Sequence, residues 1–268
     1  MDTDDAHPRF GALHEHGTFM MPNAFDRGSC RLLDDLGFPA LATTSGGFAA
    51  SMGRLDGTGS RAELVDHVAS LSAITSLPIN VDSENCYPDL DGGIAETIRL
   101  LADAGASGCS IEDWDPIGEV IEEIDRATER VAIASAAADE VGIVLTARAE
   151  NHFRGTDNLD DTIARLAAFR AVGAQVVYAP GLTDIAAITR IVAEVGGAVN
   201  VLLTPGGPSR DELAAVGVRR LSVGGTMARV AYGALHAFGQ ELLDTGGLPV
   251  ESGYLSRDVA QRAFGGSK

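Results

Sequence analysis

Short apolar runs alternate with longer amphipathic stretches, and the alternation repeats eight times along the chain. Each run is rich in β-branched residues or bounded by Gly and Pro, the mark of a strand buried on both faces of a parallel sheet. The runs are Thr18–Pro22, Pro39–Thr43, Pro78–Asp82, Gly108–Glu112, Ile143–Arg148, Gln175–Ala179, Val199–Thr204 and Arg219–Val223. Between them the spacing predicts helices over Asp26–Leu36, Arg61–Thr75, Ile94–Ala104, Glu119–Glu140, Leu159–Ala171, Ile185–Val195, Asp211–Ala215 and Thr226–Leu243. Ser60-x-x-Glu63 and Ser209-x-x-Glu212 are capping boxes, and Gly follows most helix ends. Eight βα units in one register predict a closed (β/α)8 TIM barrel over residues 1–247, with a doubly wound open sheet as the alternative. Residues 248–268 read as a C-terminal extension with a short helix, suited to packing on a neighbouring subunit.

The length of 268 residues and the 45% hydrophobic content suit one such barrel. No apolar run is long enough for a membrane span, and the acidic Met1–Asp5 start does not read as a signal peptide. Three cysteines, Cys30, Cys86 and Cys109, fit no zinc spacing and point to a reduced, cytoplasmic protein. A net charge of −18 disfavours nucleic acid and anionic lipid as partners. An anionic small molecule then needs local positive charge. Lys268 is the only lysine, so Schiff-base and P-loop chemistry are excluded, and any carbonyl chemistry needs a metal or oxyanion-hole donors.

In such barrels the residues just past the strand C-termini line the site. These are Asn23 after the first strand and Thr44-Ser45-Gly46-Gly47, then Asp56, after the second. Asp82, Glu84, Cys86 and Tyr87 follow the third, and Glu112-Asp113 the fourth. Arg148, Glu150, Asn151 and His152 follow the fifth. Asp56, Asp82, Glu84 and Glu112 in one volume require a cation, and an all-oxygen donor set suits Mg2+ or Mn2+. Salt bridges or helix caps are the alternative use of these acids. Arg148 offers a bidentate contact to a substrate carboxylate or phosphonate, or else pairs with Glu150 or Glu112. The Thr44–Gly47 turn can aim backbone N–H groups at an anion. His152, Tyr87 or a metal-bound water are candidate proton donors, and Trp114 is placed to cover the site.

The same residues resemble the isocitrate lyase / phosphoenolpyruvate mutase superfamily, in its carboxyphosphonoenolpyruvate phosphonomutase-like branch. PNAFDRGSCRLLDDLGFPALATTSGG is similar to the family's opening, and VDSENCY stands at its Asp-x-Asp-Thr-Gly-Tyr-Gly segment. GCSIED resembles the strand bearing its metal-linked glutamate, and LTARAEN its Ala-Arg-Thr-Asp segment, with APGLTD also in place. The resemblance implies that Thr44, Ser45 and Gly46 hold the substrate's carboxylate and oxo groups. It implies Mg2+ on Asp56, Asp82, Glu84 and Glu112, directly or through water, and Arg148 on the anionic end. The chemistry implied is cleavage or formation of a C–C or P–C bond beside a 2-oxo acid, through an enolate held on the metal. A homo-oligomer, dimer or tetramer, is implied too.

Departures limit the transfer. The lyases' loop after the fourth strand carries Lys-Lys-Cys-Gly-His, and the phosphonate enzymes' version carries Lys and Asn. Here it reads Asp113-Trp114-Asp115-Pro116-Ile117-Gly118-Glu119. Glu84 replaces an aspartate. The leading expectation is a Mg2+-dependent C–C lyase or decarboxylase acting on a 2-oxo or 2-hydroxy acid. The alternatives are a phosphonopyruvate-type P–C mutase or hydrolase and a barrel that binds a metabolite without turnover.

Overall fold

All eight apolar runs form parallel strands in the computed structural model, which describes residues 6–248 and 253–266. The acidic start, Lys268 and part of the C-terminal extension lie outside the described residues. The chain opens with α1 (Ala6–Ala12), β1 (Phe19–Met21), α2 (Arg27–Asp35), β2 (Leu41–Ala42), α3 (Ser45–Ser51), α4 (Arg61–Ser72) and β3 (Ile79–Asp82). It continues with α5 (Gly93–Asp103), β4 (Gly108–Glu112), β5 (Trp114–Asp115), β6 (Val120–Ile121), α6 (Ile124–Val141) and β7 (Val144–Arg148). The last stretch comprises α7 (Leu159–Ala171), β8 (Val176–Tyr178), α8 (Ile185–Val195), β9 (Ala198–Leu202), α9 (Arg210–Ala215), β10 (Arg220–Ser222), α10 (Thr226–Thr245) and α11 (Arg257–Gly265).

Around the barrel the strands run β1-β10-β9-β8-β7-β4-β3-β2. The ring closes between β1 and β2 through one parallel bridge, Asn23 to Ala42. Ala24 N donates to Ala42 O (2.8 Å), and Ala42 N to Pro22 O (2.9 Å). Asn23 reinforces this seam with its side chain. Its Nδ2 donates to Thr43 O (2.6 Å), and its Oδ1 accepts from Val223 N (3.0 Å) and Gly224 N (2.9 Å).

Strand side chains alternate between the two faces. Val81, Ile111, Leu145, Ala147, Val177, Val199 and Leu221 point outward and join the main core beneath the helices. The opposite set points into the barrel, where Val144, Val176 and Ala198 pack with Phe10 at the floor and a polar group gathers around Arg220. Buried Arg220 donates from Nε to Asn200 Oδ1 (2.9 Å) and from Nη2 to Thr146 Oγ1 (2.8 Å). Phe10 of α1 plugs this floor, fully buried, and His14 Nε2 stands 3.4 Å from Arg220 Nη1. The same parity carries Asp82, Glu112, Arg148 and Tyr178 inward at the opposite, C-terminal mouth.

Three local features depart from the sequence expectation. The Thr44–Gly47 segment, expected as a Gly-rich turn, instead opens helix α3, capped by Thr44 Oγ1 accepting from Gly47 N (3.3 Å). Residues 119–123 are not the start of a helix. An antiparallel β5–β6 hairpin pairs Trp114 with Ile121, and α6 begins only at Ile124. Helix α11 packs on α2 of its own chain, with Ala263 buried and Arg262 Nη2 donating to Asp35 Oδ2 (3.3 Å). Helix α10 is the outlier of the outer ring. Ala228 is its one buried residue, whereas Val230, Leu235 and Leu243 are 65%, 67% and 82% exposed. No helix among the described residues is long and apolar enough to cross a membrane.

Candidate active site

The mouth is organised by Arg148, at the end of β7. Its Nη1 donates to Asp82 Oδ1 (2.7 Å), and its Nη2 reaches Glu112 Oε2 (3.1 Å) and Glu150 Oε1 (2.9 Å). Nε also donates to Glu150 Oε1 (2.9 Å). One guanidinium thus serves three carboxylates that are largely withdrawn from water. One positive charge cannot neutralise three negative ones. Burial, with Glu150 and Asp82 adding repulsion against the pull of Arg148, pushes the Glu112 carboxyl up to about 8.

Asp82 is held from the other side by α3. Ser45 N (3.0 Å) and Ser45 Oγ (3.1 Å) both donate to Asp82 Oδ2, and Asp82 N donates to Thr43 Oγ1 (2.9 Å). Glu84 follows in a loop where Glu84, Cys86 and Tyr87 take φ of 50°, 59° and 49°. Three non-glycine residues in the left-handed region carry backbone strain that the surrounding packing must hold. Glu84 O accepts from Glu112 N (3.0 Å), which anchors this loop to β4. Burial first, then the nearby charges of Asp82 and Asp56, push the Glu84 carboxyl up to about 7. Asp56 lies over Gly46, where an added Cβ would stand 3.2 Å from its carboxylate.

A second cation flanks the group. Arg154 lies on the ring of Trp114, Cζ 4.0 Å from the centroid, with Phe153 at 5.6 Å. It approaches Glu112 Oε1 and Glu150 Oε2 only to 3.8 Å each. Buried Asp113 accepts from Glu150 N (2.9 Å) and Arg165 Nη1 (3.2 Å), which ties the ends of β4 and β7 to α7.

The expected site residues therefore divide. Asp56, Asp82, Glu84, Glu112, Arg148 and the Thr44–Gly46 segment gather at the mouth. Arg148 does so as an ion-paired hub, joined to both Glu150 and Glu112. Asn23 is spent on the barrel seam. Asn151 Nδ2 donates to Asp161 Oδ2 (2.7 Å). His152 faces α7, with Nε2 3.2 Å from Thr162 Oγ1 and Nδ1 3.5 Å from Asp157. Tyr87 Oη donates to Gly59 O (3.2 Å). Burial pushes the Cys86 thiol up to about 12, which removes it as a nucleophile. The sequence does not single out Arg154, and it offers Glu150 only as a partner for Arg148. The i,i+4 spacing of the two, just past a strand end, is the available signal. A groove of about 510 Å³ at the barrel's other end, beside His7, Gly11 and Gln175, has Asp139 as its one acid and offers no comparable cluster.

A divalent ion can be tested against these groups. Among the described residues no three acidic, His or Cys side chains form a closed metal cage. The donors at the mouth are carboxylate oxygens alone, and Glu84 is crowded by two like charges. That chemistry fits a hard, largely hydrated ion such as Mg2+, which keeps several of its waters, better than Zn2+.

Comparison with known proteins agrees with the architecture. A candidate lyase/mutase from Burkholderia cenocepacia J2315, solved by crystallography, is 44% identical over 97% of this chain and 95% of its own, with a TM-score of 0.91. The oxaloacetate decarboxylase of Bradyrhizobium diazoefficiens is 28% identical over 228 residues, 80% of this chain and 76% of its own length. Phosphonopyruvate hydrolase, crystallised with oxalate and Mg2+, shares the fold at 19% identity, with a TM-score of 0.83 over 99% of this chain and 95% of its own. The phosphoenolpyruvate phosphomutase family profile matches residues 10–243, which takes in every barrel strand, and the chain belongs to that family.

Proposed function

We propose that this protein is a Mg2+-dependent lyase or decarboxylase that cleaves a C–C bond beside a 2-oxo or 2-hydroxy carboxylate. The observation that carries the reading is the gathering of Asp56, Asp82, Glu84, Glu112 and Glu150 at the barrel mouth around Arg148. Asp82, Glu84, Asp56 and Glu112 would hold Mg2+, directly or through water. The chemistry supplied by the bound ion is neutralisation of the negative charge that develops on the substrate's oxo oxygen.

The chain's own groups do the rest. Arg148 fixes the carboxylates of Asp82, Glu112 and Glu150 relative to one another, so the site is preorganised before substrate enters. Glu112, held by Arg148 Nη2 at 3.1 Å, stays beside Asp82 and Glu150 as one of the groups that would hold the ion. The N-terminal turn of α3, with Thr44, Ser45 and Gly46, orients the substrate's oxygens. Trp114 on its hairpin shields the mouth from water. Similarity to an oxaloacetate decarboxylase supports this reading. The phosphomutase family profile keeps P–C cleavage of a phosphonopyruvate-like acid as the second reading. The apolar residues left exposed on α10 support a homo-oligomer in which that helix is covered by a second copy.

The test is incubation of the protein with Mg2+ and oxaloacetate, 2-methylisocitrate, dimethylmalate or phosphonopyruvate, followed by NMR, with Asp82→Ala as control. Turnover of a carbon acid, lost on chelation and in the variant, is expected. Phosphate release confined to phosphonopyruvate would replace this reading by the second one.

A further inference from the structure

The two arginines at the mouth are not equivalent. Arg148 is saturated, because its N–H groups meet Asp82, Glu112 and Glu150 at 2.7, 3.1 and 2.9 Å. Arg154 is not. Its nearest acidic oxygens stand at 3.8 Å, beyond hydrogen-bond distance, and its side chain keeps 32% exposure. The guanidinium is nonetheless fixed, lying on Trp114 at 4.0 Å while the start of its turn is tied by Arg154 N donating to Glu150 O (2.9 Å). Stacking uses the face of the fork and leaves its edge of N–H donors for a planar, bidentate anion. Trp114 is in turn held by the pairing of Trp114 with Ile121 across the hairpin. In a molecule of net charge −18, a preoriented cation whose donors meet no hydrogen-bond acceptor among the described residues, beside the carboxylate cluster, is a recognition element for a negative group.

The geometry points to Arg154, held flat on Trp114, as the residue that selects a dicarboxylic substrate by binding the carboxylate distal to its 2-oxo or 2-hydroxy group. This inference rests on the 2-oxo or 2-hydroxy acid reading of the site and adds the substrate class. Arg154 acts as a specificity determinant and takes no part in the bond-breaking step.

The experiment is calorimetric titration, in Mg2+, of malate and 2-hydroxybutyrate, which share a carbon frame and differ in the distal carboxylate. The wild type should bind malate about 10-fold or more tighter, the worth of one charge-assisted hydrogen-bond pair. Arg154→Gln should erase that preference while leaving 2-hydroxybutyrate binding unchanged, which also reports an intact site. Trp114→Leu, which frees the guanidinium, should cut the preference severalfold. Binding of both acids with an unaltered ratio in Arg154→Gln overturns the assignment and leaves the 2-hydroxy acid reading standing. Binding of neither acid by the wild type overturns both.

Discussion

Arg148 Nη1 and Asp82 Oδ1 stand 2.7 Å apart, an ion pair that spans β4 to join the ends of β7 and β3. The two residues lie on strands that do not touch, so the pair braces the mouth of the barrel as well as its charge. Replacement of Arg148 by Met leaves Asp82, Glu112 and Glu150 without their shared cation. We expect a loss of about 3–5 kcal/mol in urea unfolding, because uncompensated buried charge is the costly outcome. Asp82→Asn added to Arg148→Met should recover part of that loss. Equal stability of wild type and Arg148→Met would refute the hub role.

Gly47 sits where α3 crosses the barrel rim. A Cβ there would meet Thr44 Cγ2 at 2.5 Å, Phe25 Cβ at 2.8 Å and Ala228 Cβ at 3.2 Å. None of these is the end of a flexible side chain. Gly47→Ala should therefore cost about 1–3 kcal/mol by overpacking. It should also displace Ser45 from Asp82. Thermal unfolding measures the first effect, and the Mg2+-induced rise in Tm, reduced in the variant, measures the second.

Two histidines make an acid-sensitive contribution. Burial first, then Arg220, lowers His14 to about 3, and burial lowers His67 to about 4, both from 6.5. Each ring is favoured in its neutral form in the fold, so its stabilisation is complete above pH 6.5. It is lost as pH falls toward 4, because the unfolded chain takes up the protons. Glu84 and Glu112, raised to about 7 and about 8, have the opposite slope, so the wild-type profile alone is a mixture. The comparison to make is wild type against His14→Gln/His67→Gln. The stability gap should narrow in favour of the variant by up to about 1.4 kcal/mol per pH unit per histidine between pH 6.5 and 4. A gap independent of pH would count against both shifts.

Helix α10 carries Val230, Leu235 and Leu243 toward solvent in the isolated chain. Sedimentation should show a dimer or tetramer. Val230→Glu with Leu235→Glu should reduce the mass without changing the circular dichroism spectrum. A monomeric wild type would remove the oligomer reading.

Barrel architecture was legible because each strand is a compact apolar run between Gly-marked turns, and Gly108–Glu112 coincides with the strand found. Helix α3 was not, since Ser45-Gly46-Gly47 has poor helix propensity and is held by the Thr44 cap and close packing against Phe25 and Ala228. The 114–121 hairpin was hidden by the helical periodicity of Ile124–Val141, which runs on from it without a Gly or Pro to mark the join. In the site, strand-end position located Asp82, Glu112 and Arg148. It could not say that Arg148 would be shared by three acids, nor that Asn23, Asn151, His152 and Tyr87 would turn to backbone or helix partners. Those outcomes depend on side-chain direction in a closed ring.

The closure between β1 and β2 rests on a single bridge and the amide of Asn23, whereas every other neighbouring pair has a ladder of its own. A ring opens at its weakest joint. The peptide N–H groups of Ala24 and Ala42 should thus exchange with deuterium ahead of those in β4 and β7, and Asn23→Ala should widen the difference. The barrel's breathing then runs between the strand that leads into α3 and the one that leads into α2. That opening lies next to Ser45 and the Asp82 carboxylate it holds, where the ring has least to break.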